Sequence, residues 1–148
     1  MGLNATLHIP AELKNLSVIR DFVQEEATTL GVNPQAVADV LLAVDEAATN
    51  IIVHGYQGGS GAIEIEVSLR GHDLVVRLRD QATPFDPNNV PPPDLTLPLE
   101  ERPIGGLGIY LMTQLVDSLH HQVTPEGGNE LILVKKNSIF DKSEEGNQ

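Results

Sequence analysis

An α+β two-layer sandwich, a largely antiparallel sheet with helices over one face, is the fold class this sequence predicts from two observations. Ile63, Ile65, Val67 and Leu69 alternate with Glu64, Glu66, Ser68 and Arg70, and the Gly71-His72-Asp73 turn leads to a second alternation at Leu74, Val76 and Leu78. That pattern describes a hairpin with one wet face. Two upstream segments instead carry apolar residues at spacings of three and four, as helices that cover one side of a sheet do.

The elements follow in chain order. Ala5, Leu7 and Ile9 alternate with Asn4, Thr6 and His8, a first strand, and Pro10 follows it. Leu13, Leu16, Ile19, Val23, Ala27 and Leu30 make the apolar stripe of a first helix, which Gly31 ends. Asn33 supplies an N-cap and Pro34 a first helical residue for a second helix. Its stripe is Val37, Val40, Leu41, Val44, Ala48 and Ile51, and it stops at His54-Gly55. Between 81 and 104 periodicity is lost among seven prolines. Gly105 to Gly108 then leads into a helix through Tyr110, Leu111, Leu115 and Val116, and strands near 118–123 and 130–135 close the sheet. Residues 1–137 are expected to form one domain and 138–148 a polar, disordered tail.

Composition narrows the function. The 148 residues suit one hydrophobic core, and with three Phe, two Tyr and no Trp that core is aliphatic. The same scarcity of aromatics removes the stacking platforms of single-strand nucleic-acid binders. A net charge of −12 repels phosphate backbones and anionic membranes, so neither nucleic acid nor membrane is an expected partner. There is no cysteine, hence no disulfide and no thiolate metal site. No apolar run reaches the ~20 residues of a membrane span, and 1–10 lacks a secretory pattern. A cytoplasmic protein is expected.

Three places resist a purely structural reading. On the second helix, Asp39, Leu42, Ala43, Glu46, Thr49, Asn50 and Val53 lie opposite the core stripe and are poor in the usual Lys, Glu and Gln. Glu46 and Asn50 are neighbours there, a carboxylate able to act as base and a neutral oxygen ligand suited to Mg²⁺. A solvated pair on an alanine-rich helix is the alternative. At the end of the hairpin, Asp80 offers a carboxylate to an exocyclic amine of a ligand, or else caps its own turn. Lastly, the long connection from 81 to 108 is too long to be an idle loop in a compact domain. It ends in Gly105-Gly106-Leu107-Gly108 before a helix, where backbone N–H groups suit a phosphate. It reads as a lid, with an ordinary glycine-rich helix entry as the alternative. No Gly-Lys-Ser/Thr loop, dinucleotide fingerprint, nucleophile elbow or zinc-ligand spacing occurs.

Taken together, Asp45-Glu46-Ala47-Ala48-Thr49-Asn50, then Asp80-Gln81-Ala82-Thr83-Pro84, then Gly105-Gly106-Leu107-Gly108 resemble the three boxes of the GHKL ATPase superfamily. Within it the chain is similar to the small anti-sigma-factor serine/threonine kinases of bacteria, over roughly 5–136. The resemblance implies the Bergerat, or histidine-kinase-like, ATPase fold, a mixed, mainly antiparallel sheet with helices on one face. It also implies ATP and Mg²⁺ as cofactors, with Glu46 as general base and Asn50 as the Mg²⁺ ligand. Asp80 is then the acceptor of the adenine amino group, flanked by Ala82 and Pro84, and Gly105, Gly106, Leu107 and Gly108 lie near the phosphates. His54, one turn beyond Asn50, either approaches the phosphates as well or caps its helix. The implied partners are an anti-anti-sigma protein of the STAS type and a sigma factor, with a homodimer as working form. The family pattern often has glycine where Ala82 stands, and a methyl there disfavours positive φ.

Overall fold

The structure is a computed structural model that describes residues 4–57, 59–83 and 106–139, with only the backbone at 106–109. Pro84, Gly105 and most of the segment read as a lid lie outside the described residues. The chain runs β1 (Ala5–Pro10), α1 (Leu16–Thr29), α2 (Pro34–Asn50), β2 (Ala62–Arg70), β3 (Asp73–Asp80), α3 (Gly106–Leu115), β4 (Ser118–Val123) and β5 (Asn129–Lys135). A single 3₁₀ turn, Leu13–Asn15, precedes α1.

The strands form one sheet in the order β1-β2-β3-β5-β4. Every pairing among the described strands is antiparallel, in keeping with the mainly antiparallel sheet expected. The β2–β3 and β4–β5 hairpins account for two of these pairings, and β1 and β5 enter as antiparallel neighbours of the first hairpin. The hairpin register puts Ile63 opposite Asp80, Ile65 opposite Leu78 and Val67 opposite Val76. All six side chains therefore share one face, because strand side chains alternate with period two.

That face meets the helices. Ile19, Val23 and Ala27 of α1 and Val40, Val44 and Ala48 of α2 are buried in one cluster with Ile65, Val67, Val76, Leu78 and Leu133 of the sheet. Each such aliphatic side chain removed from water contributes about 1.5–3 kcal/mol. Asn33 caps α2 as its residue type predicts: its side chain accepts from Ala36 N at 2.9 Å, with Pro34 following in the first turn. Gly31, at φ +87°, provides the left-handed residue that ends α1.

Two expectations change. Ala43, placed on the face of α2 opposite the core stripe, is fully buried, and α3 packs against α2. Ser138 and Ile139, assigned to the tail, belong to the packed domain. Ser138 O accepts from Asn33 N at 2.7 Å and Asn33 Nδ2 at 2.8 Å, Ser138 N donates to His72 O at 2.8 Å, and Ile139 bridges Val32. Ser138 is wholly buried, and its polar groups are satisfied by hydrogen bonds inside the domain.

Candidate functional site

The α2 helix ends in a widened turn. Over Ile51–Gly55 the backbone closes i→i+5, with Tyr56 N donating to Ile51 O at 2.9 Å. Such π-type turns redirect the side chains around them, and they concentrate at functional sites. Tyr56 anchors this one: its hydroxyl donates to Ala62 O and accepts from Gln81 N, each at 2.8 Å. The start of β2 and the residue after β3 are thereby tied to the end of α2.

Between that turn and the sheet lies a small pocket of about 40 Å³ that opens to solvent. Asn50, Ile51 and Gly55 line it from above, Asp80, Asn129 and Leu131 from the sheet, and Met112 from α3. Asp80 is the last residue of β3 on the helix-facing side and only 5% exposed. Its Oδ1 accepts from Ala82 N and from Asn129 Nδ2, both at 2.9 Å. The aspartate closes an Asx-type turn, the second of its two readings, and it also sits on the pocket wall. Burial pushes its pKa above the usual carboxylate range, while the bonds from Asn129 and Ala82 N and the nearby His121 pull the other way.

Asn50 brings a second unusual feature. Its Nδ2 is buried and has no hydrogen-bond partner among the described residues. Leaving a buried amide unsatisfied costs about 1–3 kcal/mol, which sets this group apart from the other polar atoms of the pocket wall. Ala82 is 6% exposed and keeps a negative φ, so its methyl causes no backbone strain. A Cβ built at Gly55 would stand 3.1 Å from the Ala82 methyl, so the glycine on one wall accommodates the alanine on the other.

The structure thus brings Asn50, Asp80 and Ala82 to one pocket. Glu46 is half-buried one turn before Asn50 on α2 and does not line that pocket. His54 is exposed and does not line that pocket. Gly106, Leu107 and Gly108 form the first turn of α3. Three wall residues lie outside the motifs read from the sequence, His121, Asn129 and Leu131. His121 falls within the strand expected near 118–123 and Asn129 just before the one expected near 130–135, but their place beside Asp80 depends on strand pairings distant in sequence.

A helix-covered antiparallel sheet with a small, partly apolar pocket, a buried carboxylate and an unsatisfied amide defines a small-ligand-binding domain. The family is narrower: the chain belongs to the histidine kinase-like ATPase domain family, whose model matches residues 9–135. Among curated relatives, the serine-protein kinases RsbW of Bacillus thuringiensis (strain Al Hakam) and of Bacillus cereus (strain AH820) are each 32% identical over 133 residues. The alignment covers 87% of this chain and 82% of either relative. The crystal structure of the RsbU and RsbW domains of Rv1364c from Mycobacterium tuberculosis superposes with a TM-score of 0.61 at 18% identity, which bears on the fold. That match covers 89% of this chain and about a third (32%) of the other. No helix among the described residues is long and apolar enough to cross a membrane.

Proposed function

We propose that this chain is an anti-sigma regulatory factor with ATP-dependent serine/threonine-protein kinase activity. It would phosphorylate an anti-anti-sigma protein of the STAS type and sequester a sigma factor, working as a cytoplasmic homodimer. The observation that carries the reading is the single pocket shared by Asn50, Asp80 and Ala82, in a chain 32% identical to proteins named serine-protein kinases.

The residues fit an adenine nucleotide with Mg²⁺. The buried Nδ2 of Asn50 has no partner among the described residues and, as a donor, suits an acceptor such as a phosphate oxygen, while the Mg²⁺ ligand would be the amide oxygen. Both hydrogen bonds to Asp80 from described residues fall on Oδ1, leaving Oδ2 to accept from an amino group. Asn50 would hold Mg²⁺ through its amide oxygen, and the ion would supply positive charge beside the phosphate groups. Glu46 takes the proton of the acceptor hydroxyl as its oxygen bonds to the γ-phosphorus and the β–γ bridging oxygen leaves with ADP. Gly106, Leu107 and Gly108, at the N-terminal end of α3, offer backbone N–H groups on the phosphate side, and Pro84 and Gly105 complete the second and third boxes. A phosphoserine on the partner adds close to two negative charges. Against a chain at −12 this weakens the complex and frees one partner for the other.

The test is phosphate transfer from γ-labelled ATP to the STAS protein encoded nearest to this gene. Glu46→Gln should lower the rate by about 10²–10⁴ with nucleotide affinity nearly unchanged, whereas Asn50→Ala should weaken Mg²⁺-dependent binding and transfer together. A second reading, a nucleotide-gated binding module without catalysis, draws on the placement of Glu46 off the pocket wall. Nucleotide binding by the wild type with no transfer to any STAS partner would select it.

A further inference from the structure

Asn129 is held by an arrangement that leaves its amide no choice of orientation. It opens β5 directly opposite Asp80 of β3 and is 6% exposed. One end of the amide lies 2.9 Å from Asp80 Oδ1, 3.2 Å from Ala82 O and 3.4 Å from Thr83 O. A carboxylate and two carbonyls only accept, so the end that faces them is the NH₂. The other end, Oδ1, faces His121 Nε2 at 2.6 Å. An amide oxygen cannot donate, so His121 carries its proton on Nε2. The polarity of the chain is thereby set from one end to the other: His121 donates to Asn129, and Asn129 donates to Asp80.

The consequence falls on the pocket. With Ala82 N also bonded to Oδ1, that oxygen has two donors, and the bonding capacity of Asp80 toward a ligand is concentrated on Oδ2. A corner that presents only an acceptor favours a ligand amino group and disfavours a carbonyl at the same position, where two acceptors would face each other unsatisfied. Burial alone would favour a protonated Asp80, which could donate to a carbonyl and blur the distinction. The Asn129 bond and the proximity of His121 oppose that protonation.

Resting on the nucleotide-pocket reading above, we infer that Asn129 and His121 are positioning residues for base selectivity, which hold the Asp80 carboxylate with a single free oxygen toward the base and so favour a 6-amino over a 6-oxo purine. His121 acts through Asn129. A role confined to fold stability would tie β4, β5 and the turn at 81–83 together without affecting which base is chosen.

ADP and inosine diphosphate differ at the 6-position and separate the two roles. Calorimetric binding of each to the full chain should show wild type preferring ADP by about tenfold or more, the worth of one bond to a charged group. His121→Leu and Asn129→Leu should collapse that preference to a few-fold by weakening ADP and sparing inosine diphosphate. His121→Gln, which returns an N–H near the place of Nε2, should restore it. If Asn129→Leu does not fold, the His121 pair decides alone. A folded His121→Leu protein with the wild-type ratio overturns the inference, as does a wild type that binds the two nucleotides alike. Either result with phosphate transfer intact leaves the kinase reading standing, whereas a wild type that binds neither nucleotide removes both.

Discussion

Gly128 shows how closely the backbone is fitted around the pocket. A Cβ added there would fall 2.0 Å from Asp80 O and 2.9 Å from Gln81 Cα, both backbone atoms that cannot rotate away. Gly128→Ala should therefore cost about 1–3 kcal/mol or more, as overpacking does, and should move Asp80. The expected result is a lower denaturant midpoint together with weaker ADP binding. A midpoint within error of wild type would show that the β3–β5 contact yields more easily than its geometry indicates. At this scale the residues legible in advance were those whose meaning is local. Asn33 reads as a cap because Pro34 and an apolar stripe follow it, and Asp80 reads as a turn carboxylate because the alternation stops there. Gly128, Asn129 and His121 carry no such local mark. Their role comes from facing Asp80 across a strand pair, and a sequence shows period two without showing which strands pair.

Among elements, the hairpin is the clearest case of a pattern that determines structure. Its alternation specified both faces, and the outer one carries a charge network that the register assembles. Arg79 on β3 reaches Glu64 Oε1 at 2.6 Å and Glu66 Oε1 at 2.8 Å on β2, and it also pairs with Glu130 on β5. Burial works against the charge of Arg79, but bonds to Glu66, Glu130 and Glu64 outweigh it and raise the guanidinium's pKa. The same bond from Arg79, with help from Asn4, holds Glu66 below its ordinary 4.5. A carboxyl with a depressed folded pKa binds its proton less readily folded than unfolded, so its contribution is present above 4.5 and is lost as pH falls through the lower folded value. Stability followed from pH 6 downward should decline below about 4.5, and Glu66→Gln should flatten part of that decline while lowering stability at pH 6. An unchanged acid limb in the variant would place the acid sensitivity in other carboxylates. The π-turn at Ile51–Gly55 was less legible, because its side chains continue a helical pattern and only the backbone departs from it.

In the whole molecule, the pocket draws its walls from both layers. Asn50 and Ile51 come from the end of α2 and the turn beyond it, Met112 from α3, and Asp80, His121 and Asn129 from three adjacent strands. No single element holds such a site together, so a ligand in it binds the folded chain and has nothing comparable to bind in the unfolded one. Binding is then linked to global stability. ADP with Mg²⁺ at ~100 times its Kd should stabilise the fold by roughly 2.7 kcal/mol, which for a chain of 148 residues raises Tm by roughly 5–10 °C. Asp80→Asn tests where that linkage enters. The amide is nearly isosteric, but it replaces one acceptor oxygen with a donor in a corner built around an acceptor, and Asn129 already donates there. The variant should keep most of its nucleotide-free stability and lose most of the ADP-dependent rise, as read by calorimetric melting with and without nucleotide. A full rise in Asp80→Asn would move base recognition away from this carboxylate. No rise in the wild type at millimolar ADP would remove nucleotide from the pocket altogether.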